Sequence, residues 1–111
     1  MVTVLDGGMG AELARRGDST PNALWSAQAL LDAPEAVSSV HDEFIEAGAE
    51  IITTNTYSTI PSYLDKSGLA QRYLELTELA GKLARDAADR AGAAHLSVQV
   101  AGSLPPLDES Y

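Results

Sequence analysis

The sequence contains no cysteine. That excludes disulfides, a cysteine nucleophile and any thiolate metal site built from this chain alone. Basic residues are scarce: seven Lys and Arg stand against sixteen Asp and Glu, a net charge of -9. A surface of that sign repels both a nucleic-acid backbone and an anionic membrane, so neither is expected as a partner. The acidity otherwise serves solubility. No apolar run approaches the roughly 18 residues that a membrane helix needs. The opening MVTVLDGG has neither the basic flank nor the apolar stretch of a secretory leader. A cytoplasmic location fits these absences.

What is present suffices for one domain over residues 1–111, 45% of it apolar. Val2–Leu5 is short and β-branched, the pattern of a strand buried on both faces of a parallel sheet. Leu13–Gly17 reads as a short helix, and a second is expected between Pro21 and Pro34. Pro34–Ala47 is a stronger helix, with Val37, Val40, Phe44 and Ala47 on one face and Gly48 at a left-handed stop. Glu50–Tyr57 reads as the second strand, and STIPSYLDKSG as a loop with room for one helical turn. Leu69–Ala91 is the strongest helix, closed by Gly92 and laced by Glu78–Lys82 and Asp86–Arg90 pairs. Leu96–Ala101 is the third strand. Strands alternating with helices predict an α/β fold of parallel βα units with right-handed crossovers. Three such strands leave two open edges. A closed barrel of eight units takes about 250 residues, so the chain reads as the first three units of one, or as half of a smaller open sheet.

The stretch DGGMG follows the first strand. The dinucleotide fingerprint needs a third glycine, and Ala11–Glu12–Leu13 does not supply it. The phosphate loop needs Gly-Lys-Ser/Thr, also missing, and an acid opening the loop repels phosphate. An amino acid suits the stretch better. Asp6 stands at a strand's carboxyl end, where ligands bind in parallel α/β folds, and can hold an ammonium group. The bare backbone of Gly7, Gly8, Met9 and Gly10 lets a ligand approach closely, and N–H groups at the helix start can hold its carboxylate. The competing reading is an Asp capping a helix after a tight turn. Asn55 and Thr56 stand at the exit of the second strand, where Asn offers a donor and an acceptor together, or simply forms a turn. Trp25 is either a wall over the site or a packing residue. His41 reads as a solvated helix residue, and His95 lies at the far end of the third strand. LPP after that strand is a stiff loop.

Together, DGGMGAEL, RRG, LWSAQALLDAPEAVSSVHDEFIEAGAEIITTNTY and VAGSLPP resemble the N-terminal part of the homocysteine S-methyltransferase family. The style of LWSAQAL and GSLPPL is similar to the branch whose methyl donor is S-methylmethionine or S-adenosylmethionine. The resemblance implies a (β/α)₈ TIM barrel and methyl transfer to the sulfur of homocysteine, giving methionine. It implies a zinc ion on three cysteine thiolates that binds the substrate sulfur as thiolate. It also implies that Asp6 and the Gly7–Gly10 backbone form the amino-acid pocket, with Asn55 and Thr56 near the sulfur and Trp25 near the donor. Ala11 stands where the family usually has threonine, so a hydroxyl at the helix start is lost. The zinc ligands are absent from this chain. By this reading the 111 residues alone are inactive and the activity belongs to a full-length parent. Two other readings stand: a non-catalytic barrel fragment forming a homo-oligomer through its open edges, and an amino-acid-binding module.

Overall fold

The computed structural model describes residues 2–17, 27–65 and 68–105. Its helices are α1 (Met9–Arg16), α2 (Gln28–Asp32), α3 (Pro34–Glu46), the single turn α4 (Pro61–Leu64) and α5 (Tyr73–Ala93). The strands are β1 (Ile51–Thr53) and β2 (Gln99–Ala101). The strands pair in parallel, Ile51 opposite Gln99 and Thr53 opposite Ala101. Leu5 makes an isolated parallel bridge to Ile51. It is framed by Glu50 N–H donating to the Val4 carbonyl at 2.8 Å and Asp6 N–H donating to the Ile51 carbonyl at 3.1 Å. Thr54 N–H and the Glu50 carbonyl face β2, so β1 lies between the Leu5 segment and β2. The three extended segments thus stand side by side in chain order.

The first segment departs from expectation. Val2 is 82% exposed, Val4 47% and Leu5 63%, where burial on both faces was predicted. Among the described residues it has a neighbour on one side only, so nothing desolvates its apolar side chains. The second strand also stops early, at Thr53: the chain leaves the sheet at Thr54, and the remaining TNTY builds the rim.

Helix α1 begins at Met9, four residues before the predicted start, with Gly8 as N-cap and Gly17 in the left-handed region (φ 79°). Pro34 stands in the first turn of α3, and Gly48 has the positive φ expected of it (115°). Helix α3 buries Val37, Val40, His41 and Ile45, while Ala47 is exposed. In α5 the buried stripe is Leu76, Ala80, Ala84, Ala87, Ala88 and Ala91, and Tyr73 is 39% exposed. Small side chains there let α3 and α5 approach closely. A 3-10 turn, Ala70–Arg72, leads into α5. Gly92 does not close α5: it lies inside the helix, and the left-handed position falls at His95 (φ 67°).

The predicted ion pairs are replaced as well. Lys82 pairs forward with Asp86 at 2.7 Å. Arg90 reaches across to α3, meeting Asp42 at 3.0 Å and Ser38 Oγ at 2.9 Å. A partner on another helix ties two elements together, which an in-helix pair does not. Two apolar clusters fill the space between helices and sheet. Leu13, Leu30, Val37, Val40, Leu64 and Leu76 form one; Ile45, Ile52, Ala84 and Ala87 form the other. The first anchors α1 and α3 together, which fixes where the glycine stretch sits.

Candidate functional site

Parallel strands place their exits at one rim, and three exits meet here. Asp6, Gly7, Met9 and Gly10 from the first, Thr53, Thr54, Asn55 and Tyr57 from the second, and Ser103 from the third line one cavity of about 250 Å³. That is smaller than the ~300–1,000 Å³ of pockets for drug-sized ligands, a size that suits a molecule on the scale of an amino acid.

Asp6 does not cap α1. Its N-cap residue is Gly8, without a side-chain cap bond. Asp6 instead closes the ladder between the first two segments. Thr53 N–H points toward the first segment just where the chain turns away into the glycines, so no backbone carbonyl waits there. Asp6 Oδ2 accepts that N–H at 2.8 Å, and Oδ1 accepts the Thr53 hydroxyl at 3.0 Å. The carboxylate is half-buried. Each of its oxygens keeps a further lone pair.

The glycines divide by role. An added Cβ on Gly7 would stand 2.9 Å from Cε1 of Phe44 and 3.0 Å from its Cζ. The missing side chain at Gly7 is therefore demanded by α3 packing against the turn, a reason beyond ligand approach. Gly8 does not line the cavity and starts the helix instead. The first intrahelical bond to Gly8 is made by Glu12 N–H, at 3.2 Å, so the amides of Met9, Gly10 and Ala11 have no acceptor within the helix. Met9 and Gly10 belong to the cavity wall. Positive dipole and free donors there favour a carboxylate.

Asn55 is 4% exposed and lines the same cavity as Asp6. Thr56 does not: it lines the neighbouring cavity with Thr59, Thr77 and Gly102. Its hydroxyl donates to the Ser103 carbonyl at 2.7 Å. Consequently the 2.8 Å contact between the Thr54 and Thr56 hydroxyls has Thr54 as donor, and Thr54 Oγ1 accepts the Ser103 N–H at 3.1 Å. This ring of three bonds locks the β1 exit to the β2 exit on either side of Asn55. Trp25 lies outside the described residues.

Thr53, Thr54, Tyr57 and Ser103 also line the cavity, and sequence reasoning does not single them out. Ser103 had a signal, since it leaves the third strand at the same rim as Asp6 and Asn55. His41 is a further correction. It is fully buried, not solvated, and neither ring nitrogen has a hydrogen-bond partner. Burial pushes its pKa below the usual imidazole value, against the opposing pull of Asp6 and Asp42.

Comparisons with known proteins bear on the family and the backbone. The family profile described as homocysteine S-methyltransferase matches residues 3–111. Homocysteine S-methyltransferase 1 of Brassica oleracea var. italica is 38% identical over 88 residues, covering 78% of this chain and 27% of that protein. Homocysteine S-methyltransferase YbgG of Bacillus subtilis (strain 168) is 37% identical over 87 residues, 75% of this chain and 28% of that one. The crystal structure of the metallated form of the homocysteine methyltransferase MmuM from Escherichia coli superposes with a TM-score of 0.83 at 34% identity, covering 95% of this chain and 38% of that one. The chain thus spans about a quarter of the length of these curated relatives. Profile and backbone match over nearly all of its own length and the relatives over about three quarters, and the chain belongs to the homocysteine S-methyltransferase family.

Proposed function

We propose that this chain is the amino-acid-binding end of a homocysteine S-methyltransferase, an N-terminal portion of a (β/α)₈ barrel. The observation that carries this reading is the meeting of Asp6, the Met9 and Gly10 amides and Asn55 on one small cavity at a parallel-strand rim. A zwitterion needs an anion and a donor cluster a few ångströms apart, and this rim offers both. Asp6, already fixed by Thr53, holds the ammonium with its remaining lone pairs. The start of α1 takes the carboxylate. The side chain then extends toward Asn55 and Tyr57, and the Thr54–Thr56–Ser103 ring keeps that wall in place. Thr56 serves as support and does not touch the sulfur.

The reaction moves a methyl group from a sulfonium donor, S-methylmethionine or S-adenosylmethionine, to the homocysteine sulfur. The S–CH₃ bond of the donor breaks with its electron pair returning to the donor sulfur, which becomes a neutral thioether. The thiol proton is lost to solvent, and methionine forms. A family zinc site would need three thiolates. This chain has no cysteine, and the described residues contain no group of three His, Cys, Asp or Glu side chains able to hold a metal. The residues present do not fit the ion, so their part is confined to holding and orienting the amino acid. Among the described residues no helix is long and apolar enough to cross a membrane, and a cytoplasmic setting belongs to the same reading.

Titrating the ¹⁵N-labelled chain with L-homocysteine and with 4-mercaptobutanoate, which lacks the amine, tests this. Homocysteine is expected to shift the Gly7, Gly10 and Asn55 amides, and the analogue to shift them much less. Equal responses to the two would reject the ammonium-binding role of Asp6.

A second reading is favoured by the exposed Val2, Val4 and Leu5 on the first segment. A second copy pairing along that edge would cover them and give a homo-oligomer. Sedimentation at low micromolar concentration decides: a dimer supports the edge pairing, and a monomer rejects it.

A further inference from the structure

Helix α1 is a short rod of eight residues, about 12 Å long. Leu13 is its one fully buried side chain, with Met9 half-buried against the same cluster. A single leucine contact leaves the direction of such a rod free. Two further contacts fix it, and consecutive residues of α3 make both. Phe44 stands against Gly7 in the turn that leads into α1. Glu43 accepts a bond from the guanidinium of Arg16, in the last turn of α1.

The two arginines at that end behave differently. The Arg15 side chain is 69% exposed, and its Nε donates at 3.1 Å to Glu12 on the same helix. A pair inside one helix moves with the helix and cannot orient it. The Arg16 side chain is only 18% exposed; its Nε is buried 3.6 Å from Glu12, and its Nη2 crosses to α3. Ion pairs at a surface add little stability. What this one supplies is a tie between the far end of α1 and the turn of α3 that carries Phe44.

The near end of α1 is the one a ligand meets. Met9 and Gly10 line the cavity, and their amides have no acceptor within the helix. Pivoting α1 about Leu13 by about 10° moves Met9, one turn away, by about 1 Å. That takes a donor out of the roughly 2.7–3.2 Å range of a hydrogen bond. We propose that Arg16 and Glu43 are positioning residues for the ligand's carboxylate: their ion pair sets the tilt of α1 and so aims the Met9 and Gly10 amides into the cavity. Neither residue lines the cavity itself. The inference rests on the reading of the α1 start as the carboxylate holder.

The test uses the whole 111-residue chain and two ligands, L-homocysteine and 3-aminopropane-1-thiol, which is homocysteine without its carboxylate. Native chain is expected to bind homocysteine about fivefold more tightly than the amine. Glu43→Gln changes an exposed residue of α3 and leaves α1 untouched. It should cut that margin to less than about twofold by weakening homocysteine alone, since the amine does not use the α1 amides. A general loosening of the site would weaken both ligands alike, and that result overturns the proposal. Arg16→Lys keeps a cation and should hold most of the margin, whereas Arg16→Gln should lose it. Arg16→Gln/Glu43→Gln should lose no more than either single change, because the pair acts as one; additive losses overturn the proposal. A second measurement needs no ligand: in ¹⁵N-labelled Glu43→Gln the Met9 and Gly10 amide resonances should move, and unmoved resonances overturn the proposal. If native chain itself shows no preference for homocysteine over the amine, the carboxylate reading of α1 falls. If the preference is present in native chain and survives in Glu43→Gln, only the role of the ion pair falls.

Discussion

Asp6 accepts both the backbone N–H and the hydroxyl of Thr53, at 2.8 and 3.0 Å, and so stands in for the backbone acceptor that the first segment stops providing. A residue placed to meet a ligand is at the same time the clasp between two strand exits. The two roles separate under substitution. Asp6→Asn keeps one acceptor oxygen and turns an NH₂ toward the second Thr53 donor. Unfolding stability should fall by about 1–2 kcal/mol, read by urea denaturation. Preference for homocysteine over its amine-free analogue should vanish altogether. Loss of stability with that preference intact would show that Asp6 is a clasp and nothing more.

Gly7 is held to glycine by Phe44. A methyl at Gly7 would lie 2.9 Å from the ring edge, closer than carbon atoms tolerate, and the ring is partly buried against the core. Gly7→Ala should therefore destabilise by about 1–3 kcal/mol. Shortening the partner in Gly7→Ala/Phe44→Leu should give back most of the loss attributable to the clash. A double-mutant cycle on urea midpoints checks it: additive effects of the two changes would mean that Phe44 is not the obstacle.

Much of this architecture is legible in the residues. The positions of Asp6 and Asn55 after β-branched runs suffice to put them on one rim, because parallel strands all exit on the same side. The Thr53–Asp6 bonds were not legible. They join residues 47 apart, and no local pattern says that Thr53 N–H lacks a backbone acceptor. The strand is shorter than its composition suggests for a related reason, since TTNTY carries three β-branched threonines yet spends Thr54 and Thr56 on side-chain bonds to Ser103. His41 could have been found. Val37, His41 and Ile45 fall at i, i+4 and i+8, and all three are buried; reading the stripe through Ala47 turned the helix the wrong way, and Ala47 is exposed.

The Thr54–Thr56–Ser103 ring makes its own prediction. Thr56 is 9% exposed, and its hydroxyl both donates to a carbonyl and accepts from Thr54. Thr56→Val keeps the volume but strands both partners, at a cost of about 1–3 kcal/mol. Thr56→Ser keeps the hydroxyl and should cost less than about 1 kcal/mol. Chemical denaturation of the two variants separates bonding from packing, and equal losses would assign the effect to the missing methyl. Amide shifts of Asn55 should move in Thr56→Val and stay near native in Thr56→Ser.

Stability should also depend on pH through His41, and the sign follows from its burial. The folded ring has a pKa below its ordinary value, so between the two values the unfolded chain binds more protons than the folded one. Stability then rises with pH through that interval. The contribution is complete above the unfolded value of about 6.5 and is lost as pH falls through the folded one. One such group sets a slope of at most about 1.4 kcal/mol per pH unit. Carboxylates add their own acid dependence at lower pH, so the diagnostic is a difference. Between pH 7 and 5 native chain should lose melting temperature steadily, while His41→Leu, which cannot take up a proton, should lose markedly less. Matching losses in the two proteins would mean that His41 is already protonated when folded, contrary to its buried and unpartnered state.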